Sequence, residues 1–171
     1  MRKRWRGRPT RDYRRHRSNR GDRPNGGTVN VVYSDWITPS IYTKSTVFGV
    51  THFDAIITAS SVTQNILDQG TVLVYAKLDG YSTTIWPANQ VGQLPVALTY
   101  QLSSTTYVDN WSASATVGNI QIDFTNDLNY YNGISNLHQF RYIVIPGGVH
   151  TLGSIDPKNY NQVKQALHLP D

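Results

Sequence analysis

Carboxylate and amide side chains are concentrated in one stretch of the sequence, DFTNDLNYYNG at residues 123–133. Asp and Asn oxygens, together with backbone carbonyls, are ligands that Ca²⁺ accepts in proteins. The sequence therefore offers Asp123, Asn126 and Asp127 as candidate calcium ligands. The same residue types also cap their own backbone in turn-rich loops. We expect such a loop here, with no bound metal, and keep calcium as the alternative.

The residue types needed for catalysis are sparse and form no recognised motif. The chain has five His and no Cys, and all of its acidic residues are Asp. It contains no G-x-S-x-G nucleophile elbow and no Gly-rich loop between a strand and a helix. We therefore expect a protein without catalytic residues and without a cofactor. His138 and Arg141 flank the start of a predicted strand, and we expect both to be polar residues of a turn or of the surface.

Aromatic residues are frequent in this chain, with 11 Tyr and 4 Trp. If they shared one surface, a set of five would form a platform for sugar rings: Trp36, Trp86, Trp111, Tyr130 and Tyr131. Because the domain is small and poor in aliphatic residues, we expect each Trp to pack in the core instead. We keep a carbohydrate-binding module, which would use such a platform, as an alternative function.

Positive charge is concentrated in the first 27 residues, which hold 11 of the 16 Lys and Arg residues. This segment has almost no aliphatic side chains, so it cannot bury enough apolar surface to offset the entropy of ordering, and we predict a disordered arm over 1–27. Such an arm can neutralise the phosphates of a nucleic acid. The candidate nucleic-acid-binding residues are Arg2, Lys3, Arg4, Arg6, Arg8, Arg11, Arg14, Arg15, Arg17, Arg20 and Arg23. The remaining domain, 28–171, is mildly acidic and gives no reason to expect nucleic acid elsewhere.

From residue 28 onward the sequence is rich in Thr, Val, Ile and Tyr, which favour strands. TVLVYAKL at 71–78 is a nearly continuous apolar run and predicts a central, buried strand. NIQIDFTN at 119–126 alternates apolar and polar residues, which predicts a strand with one buried face. STVFGVTHFDAIIT at 45–58 predicts one strand, or two halves separated by a bulge at Gly49.

Two short helices are predicted between and after the strands. SSVTQNILDQG at 60–70 predicts a short helix that ends at Gly70. Near the C-terminus, Asp156 is a suitable N-cap and Pro157 a suitable first residue, which predicts a helix over about 157–168. The regular spacing of strands and polar turns indicates a mainly β protein, an antiparallel β-sandwich of jelly-roll-like type over 28–171.

Five segments of the domain carry a resemblance to a known family. They are NVVYSDW (30–36), VTQNILDQGTVLVYAKLDG (62–80), IWPANQVGQLP (85–95), HQFRYIVIPGG (138–148) and YNQVKQALHLPD (160–171). Taken in this order, they resemble a β-rich domain found at the C-termini of exported proteins and lipoproteins of Bacteroidota-type bacteria, often after a collagen-like stretch. The resemblance implies an exported, non-enzymatic module that associates with a protein partner or with itself, for example as a homotrimer.

The resemblance and the acidic domain lead us to expect a structural or interaction module that is extracellular or at the bacterial cell surface. The signal peptide, lipidation Cys and Gly-X-Y repeat of that family are absent from this chain, and an alternative or out-of-frame start is one explanation of the arm. No apolar run in the sequence is long enough to span a membrane. A basic arm before a β-sandwich also fits a small viral capsid protein whose arm binds the packaged genome, and we keep this as the alternative.

Overall fold

Nine strands and two short helices form the part of the chain that the computed structural model describes, residues 31–148 and 155–170. In chain order they are β1 (Val32–Tyr33), β2 (Thr43–Val47), β3 (Val50–Thr58), α1 (Gln64–Gln69), β4 (Thr71–Lys77), β5 (Gly92–Gln93), β6 (Val96–Leu102), β7 (Thr105–Thr116), β8 (Asn119–Asn126), β9 (Gln139–Ile145) and α2 (Tyr160–Ala166). The arm predicted over 1–27 lies outside the described residues.

The strands form two antiparallel sheets. One sheet has the order β1-β9-β4-β5, and the other has the order β2-β3-β8-β7-β6. β1 pairs with β9, and β3 pairs with β8, so each sheet joins segments that are distant in the sequence. Two antiparallel sheets with two short helices confirm the mainly β sandwich that the sequence predicts.

A hydrophobic core fills the space between the sheets. On β8, Ile120, Ile122 and Phe124 are buried and alternate with more exposed polar residues. They belong to one cluster with Val74 and Phe140 of the opposite sheet. Full burial of an aliphatic or Phe side chain contributes about 1.5–3 kcal/mol to folding, so this inner face supplies much of the driving force.

The four-stranded sheet is covered on its outer face as well. Leu73 and Tyr75 of β4 form a second buried cluster with Tyr160 and Val163 of α2. The Tyr75 hydroxyl donates a hydrogen bond to the Pro157 carbonyl at 2.7 Å. Because β4 is buried on both faces, its sequence is a nearly continuous apolar run, as the sequence analysis predicts.

The C-terminal helix is shorter than predicted, Tyr160–Ala166 rather than 157–168. Its N-cap is Asn159, whose side chain accepts the backbone N–H of Gln162 at 3.2 Å. Asp156 caps the preceding turn instead, where it accepts the backbone N–H of Lys158 at 2.9 Å. Both Asp and Asn are good capping residues, so the local sequence offers two helix starts.

The segment 45–58 forms a tight hairpin rather than a bulged strand. β2 and β3 pair up to Val47 opposite Val50, which leaves a two-residue turn. Phe48 and Gly49 in this turn both have positive φ angles, 48° and 84°. Positive φ at both positions is typical of a type I′ turn, whose twist matches that of the flanking strands.

Candidate functional site

A pocket of about 400 Å³ lies where β4 and β8 end, and we call it the tyrosine pocket. Its lining includes Tyr81 after β4, Tyr100 of β6, Trp111 of β7 and Tyr131 after β8. The five-stranded sheet carries Tyr100 and Trp111, whereas the other two residues come from loops. The walls are therefore built from the five-stranded sheet and from the loops after β4 and β8.

The hydroxyls of three pocket tyrosines converge on the carboxylate of Asp109 in β7. Tyr81 and Tyr131 each donate to Oδ2 at 2.8 Å, and Tyr100 donates to Oδ1 at 3.3 Å. Asn126 donates from Nδ2 to Oδ1 at 2.7 Å. Asp109 is 0% exposed, so these four donors replace its hydration. A buried carboxylate is tolerated in a protein when hydrogen bonds do this.

The hydroxyl protons of the three tyrosines are used within this network. Trp111 donates its Nε1–H to the Tyr81 hydroxyl at 3.0 Å, which leaves the Tyr81 proton for Asp109. The Tyr100 and Tyr131 hydroxyls lie 2.8 Å apart, so the Tyr100 proton is shared between Tyr131 and Asp109. Burial raises the pKa of Tyr81 and of Tyr131 above the ordinary tyrosine value. Both hydroxyls therefore remain protonated donors at neutral pH.

Asn126 connects the network to the loop after β8. Its Oδ1 accepts the backbone N–H groups of Leu128 and Tyr130, each at 3.0 Å. The neighbouring Asp127 accepts the backbone N–H of Val108 at 2.9 Å. The side chains of this loop therefore cap the backbone, as expected, and they hold Tyr131 beside Asp109.

The fold does not bring the three candidate calcium ligands together. Asp123 and Asn126 lie three residues apart on β8 and therefore point to opposite faces of the sheet. Oδ1 of Asp123 lies 3.0 Å from Nδ1 of His52, and burial raises the pKa of the Asp123 carboxyl. Within residues 31–148 and 155–170, no group of three or more His or Asp side chains is arranged to hold a metal ion.

His138 lines the tyrosine pocket and is buried, so the expected turn or surface position is wrong. Its Nδ1 accepts the backbone N–H of Asp79 at 3.0 Å, and its ring centroid lies 4.5 Å from that of Trp111. Burial lowers the pKa of His138 to about 4, so the ring is neutral at pH 7. Because Nδ1 is the acceptor, the ring proton lies on Nε2.

Arg141 is also buried rather than exposed, on the outer face of the four-stranded sheet and away from the pocket. Its Nη1 donates to the Tyr160 hydroxyl at 2.7 Å and to the Pro170 carbonyl at 3.0 Å. Its guanidinium carbon lies 5.1 Å from the ring centroid of Trp36. The segment from Tyr160 to Pro170 covers this face, and the two hydrogen bonds from Arg141 connect that segment to β9.

The five aromatic residues considered for a sugar platform do not share one surface. Trp86 and Trp111 are buried in the core between the sheets, as expected. Trp36 packs in the outer cluster beneath α2. Of the five residues, Trp111 and Tyr131 line the tyrosine pocket, and Tyr130 packs beside Tyr131 with ring centroids 5.3 Å apart.

Sequence analysis missed Tyr81, Tyr100 and Asp109 as site residues. One signal for Asp109 is present in the segment that forms β7, because the inward positions of this strand include Tyr107 and Trp111. Asp109 occupies the inward position between them, where an apolar residue is expected. A charged residue at an inward-facing position of a strand indicates a buried hydrogen-bond network or a functional site.

The eleven candidate nucleic-acid-binding residues, all within 1–27, lie outside the described residues. No family model, curated protein or solved structure matches this chain. None of the helices in the described ranges is long and apolar enough to cross a membrane. The geometry of the tyrosine pocket is therefore the feature of the described residues that points to a function.

Proposed function

We propose that this chain is a non-enzymatic interaction module of a secreted or cell-surface bacterial protein, and that its ligand binds in the tyrosine pocket. The observation that carries this proposal is the Asp109 network, which holds Tyr81, Tyr100 and Tyr131 around a cavity of about 400 Å³. Small-molecule sites are cavities of this size, lined mainly by apolar and aromatic side chains with a few polar groups that orient the ligand. Walls that are ordered before binding reduce the entropy lost when the ligand enters.

The polar groups around the pocket favour binding over catalysis. The Asp109 carboxylate is enclosed by its four donors, so it is not free to act as a base on a ligand. Nδ1 of His138 is likewise occupied by the backbone N–H of Asp79. A ligand would meet aromatic rings and the side chains of Ile85 and Ile134, which provide contact area for binding.

The family resemblance supports the extracellular or cell-surface location, because the domains of that family belong to exported proteins and lipoproteins. The resembling segments include central parts of the fold. The segment 138–148 contains β9, and the segment 62–80 contains α1 and β4. Self-association, for example as a homotrimer, belongs to the proposal because domains of that family often follow a collagen-like stretch. The module would then bind a protein partner or a second copy of itself in addition to the small molecule in the pocket.

Filling the pocket tests the proposal. Gly133 lines the pocket, and a Cβ added to it meets no atom within 4 Å, so Gly133→Phe adds a ring without a backbone clash. Asn65→Phe, at an exposed position of α1, is the matched control. Ligand-observed NMR with a library of water-soluble fragments should find compounds that bind the wild-type chain and Asn65→Phe but not Gly133→Phe. If no fragment distinguishes these proteins, the pocket is not a ligand site and the proposal fails.

A second candidate function is that of a small viral coat protein, which the 11 cationic residues within 1–27 favour. The arm would then neutralise a packaged genome while the β-sandwich forms the shell. Electron microscopy of the expressed full chain separates the two functions. Shells that contain nucleic acid support the coat protein, whereas monomers or small oligomers such as trimers support the interaction module.

A further inference from the structure

The described residues place no positive charge in the walls of the tyrosine pocket. Among the described residues that line it there is no Lys or Arg, whereas the acidic residue Asp79 is among them. The Asp109 carboxylate lies directly behind the tyrosine hydroxyls. Lys77, two residues before Asp79, turns to the outer face of its sheet, where Nζ lies 4.1 Å from the Trp36 ring centroid. The charged side chains that the described residues place in or directly behind the walls of the pocket are therefore carboxylates, which attract positive charge.

The hydrogen bonds made by the pocket tyrosines also disfavour an anion at their hydroxyls. The hydroxyl protons of Tyr81, Tyr100 and Tyr131 are used within the Asp109 network. The three tyrosines therefore present to a ligand the lone pairs of their hydroxyl oxygens and the faces of their rings, and not O–H donors. Lone pairs and the faces of aromatic rings both attract positive charge.

The aromatic rings of the pocket stand at steep angles to one another, as the walls of a cage do. The Tyr81 and Tyr100 rings meet at 69° with centroids 6.5 Å apart, and the Phe124 and Tyr131 rings meet at 80° with centroids 5.2 Å apart. A cation within about 6 Å of such ring centroids is attracted by their quadrupoles. Because the tyrosine hydroxyls donate toward a carboxylate, their rings gain electron density, which strengthens this attraction.

From this arrangement of charges, donors and rings, we propose that the tyrosine pocket selects an organic cation of the methylated-ammonium class. The inference rests on the proposed function, because it names the chemical class of the ligand that the pocket binds. A methylated ammonium group combines positive charge with an apolar surface, which suits enclosure by aromatic rings. A neutral sugar would gain contact with the rings without the charge attraction, and an anion would be repelled.

A pair of probes that differ in charge but not in shape tests the proposal. Choline carries a trimethylammonium group, and 3,3-dimethyl-1-butanol is its neutral isostere, with carbon in place of nitrogen. Isothermal titration calorimetry with the full chain at constant ionic strength should show at least about fivefold tighter binding of choline, as expected for an enclosed cation–π contact. Methyl glucoside serves as the third probe, for a neutral sugar.

Variants of Tyr100 locate the binding site. Tyr100→Leu removes a wall of the cage and should weaken choline binding at least about fivefold, whereas Tyr100→Phe keeps the ring and should weaken it less. Tyr33→Leu removes a ring of β1 that lies beside Arg141, outside the pocket, and should leave the affinity within about twofold. The comparison of choline with its isostere on the wild-type chain does not depend on the folding of any variant.

The outcomes separate this inference from the proposed function. Equal binding of choline and its isostere, or preferential binding of methyl glucoside, overturns the cationic class and leaves a binding pocket in place. Choline binding that survives both Tyr100→Leu and Gly133→Phe overturns the location. If none of the three probes binds while the fragment screen still finds pocket ligands, the cationic class is wrong and the binding function stands. If that screen is also negative, both proposals fail.

Discussion

The Tyr131 hydroxyl donates a hydrogen bond of 2.8 Å to Oδ2 of Asp109, a residue 22 positions earlier in the chain. This bond joins the loop after β8 to β7 and completes a set of donors around the carboxylate. Among the described residues, Asp109 is the only carboxylate that is buried. The same side chain therefore belongs to the core and positions the walls of the tyrosine pocket.

Replacing Asp109 by Asn should destabilise the fold strongly. Asn has almost the same size, but its NH₂ group would face a tyrosine or amide donor in place of an acceptor oxygen. A buried donor that is left without an acceptor costs about 1–3 kcal/mol. We therefore expect the free energy of unfolding to fall by about 2–4 kcal/mol, measured by urea unfolding followed through tryptophan fluorescence.

The matched control for this substitution is Asp35→Asn. Asp35 is exposed, so the variant makes the same change in net charge without touching the buried network. We expect its free energy of unfolding to stay within about 0.5 kcal/mol of the wild-type value. Similar losses in the two variants would show that net charge, and not the hydrogen-bond network, determines the effect.

Arg141 provides a second test of buried polar contacts. Arg141→Met keeps much of the side-chain volume but leaves the Tyr160 hydroxyl without the donor that lies 2.7 Å away. We expect the free energy of unfolding to fall by about 1–3 kcal/mol. Adding Tyr160→Phe removes the orphaned hydroxyl, so the double variant should be more stable than Arg141→Met alone. Urea unfolding of the three proteins checks this, and additive losses from the two substitutions would contradict it.

The buried His138 should make the fold less stable in acid. Burial lowers its pKa from 6.5 to about 4, so between these values the unfolded chain binds a proton that the folded chain does not. The stabilising contribution is therefore complete above pH 6.5 and is lost as the pH falls toward 4, by up to about 3 kcal/mol. Urea unfolding at pH 7 and at pH 4.5 measures the change.

The control for this pH dependence is His138→Asn, whose Oδ1 can accept the Asp79 N–H but does not titrate. Asp123 changes the free energy of unfolding in the opposite direction. Because burial raises the pKa of its carboxyl, the folded chain binds a proton more readily than the unfolded chain, and this contribution stabilises the fold as the pH falls. Subtracting the variant from the wild type removes that contribution, since both proteins contain Asp123. A difference in unfolding free energy that is the same at both pH values would show that His138 is not the source.

The architecture could be predicted from the sequence because burial repeats along each strand. The alternating segment 119–126 is β8, and the apolar segment 71–78 contains β4. The start of α2 could not be decided locally, since two capping residues precede it. Packing decides it, because the Tyr160 ring lies 4.9 Å from that of Tyr75 on the sheet below.

The site could be predicted only in part, because its residues meet through strand pairing and loop closure. Tyr81 lies 28 positions from Asp109 in the sequence, and no local spacing indicates that they meet. The contact between His52 and Asp123 likewise depends on the register of β3 against β8. His52 and Asp54 are two residues apart in the sequence and therefore lie on one face of a strand. This spacing is a local indication that His52 has carboxylates near it, and sequence analysis missed it.

The hairpin tip between β2 and β3 should tolerate a stabilising substitution. Phe48 is fully exposed and has a φ of 48°, a region that is costly for a bulky residue. Asn129 donates to the Gly49 carbonyl at 2.8 Å and holds the turn in this geometry. Because Asn-Gly is the preferred sequence of a type I′ turn, Phe48→Asn should raise the free energy of unfolding by about 1 kcal/mol.

Phe48→Ala removes the same ring without this backbone preference, so its change should stay within about 0.5 kcal/mol. Urea unfolding of both variants decides the point, because equal stabilisation would implicate loss of the exposed ring and not the backbone angle.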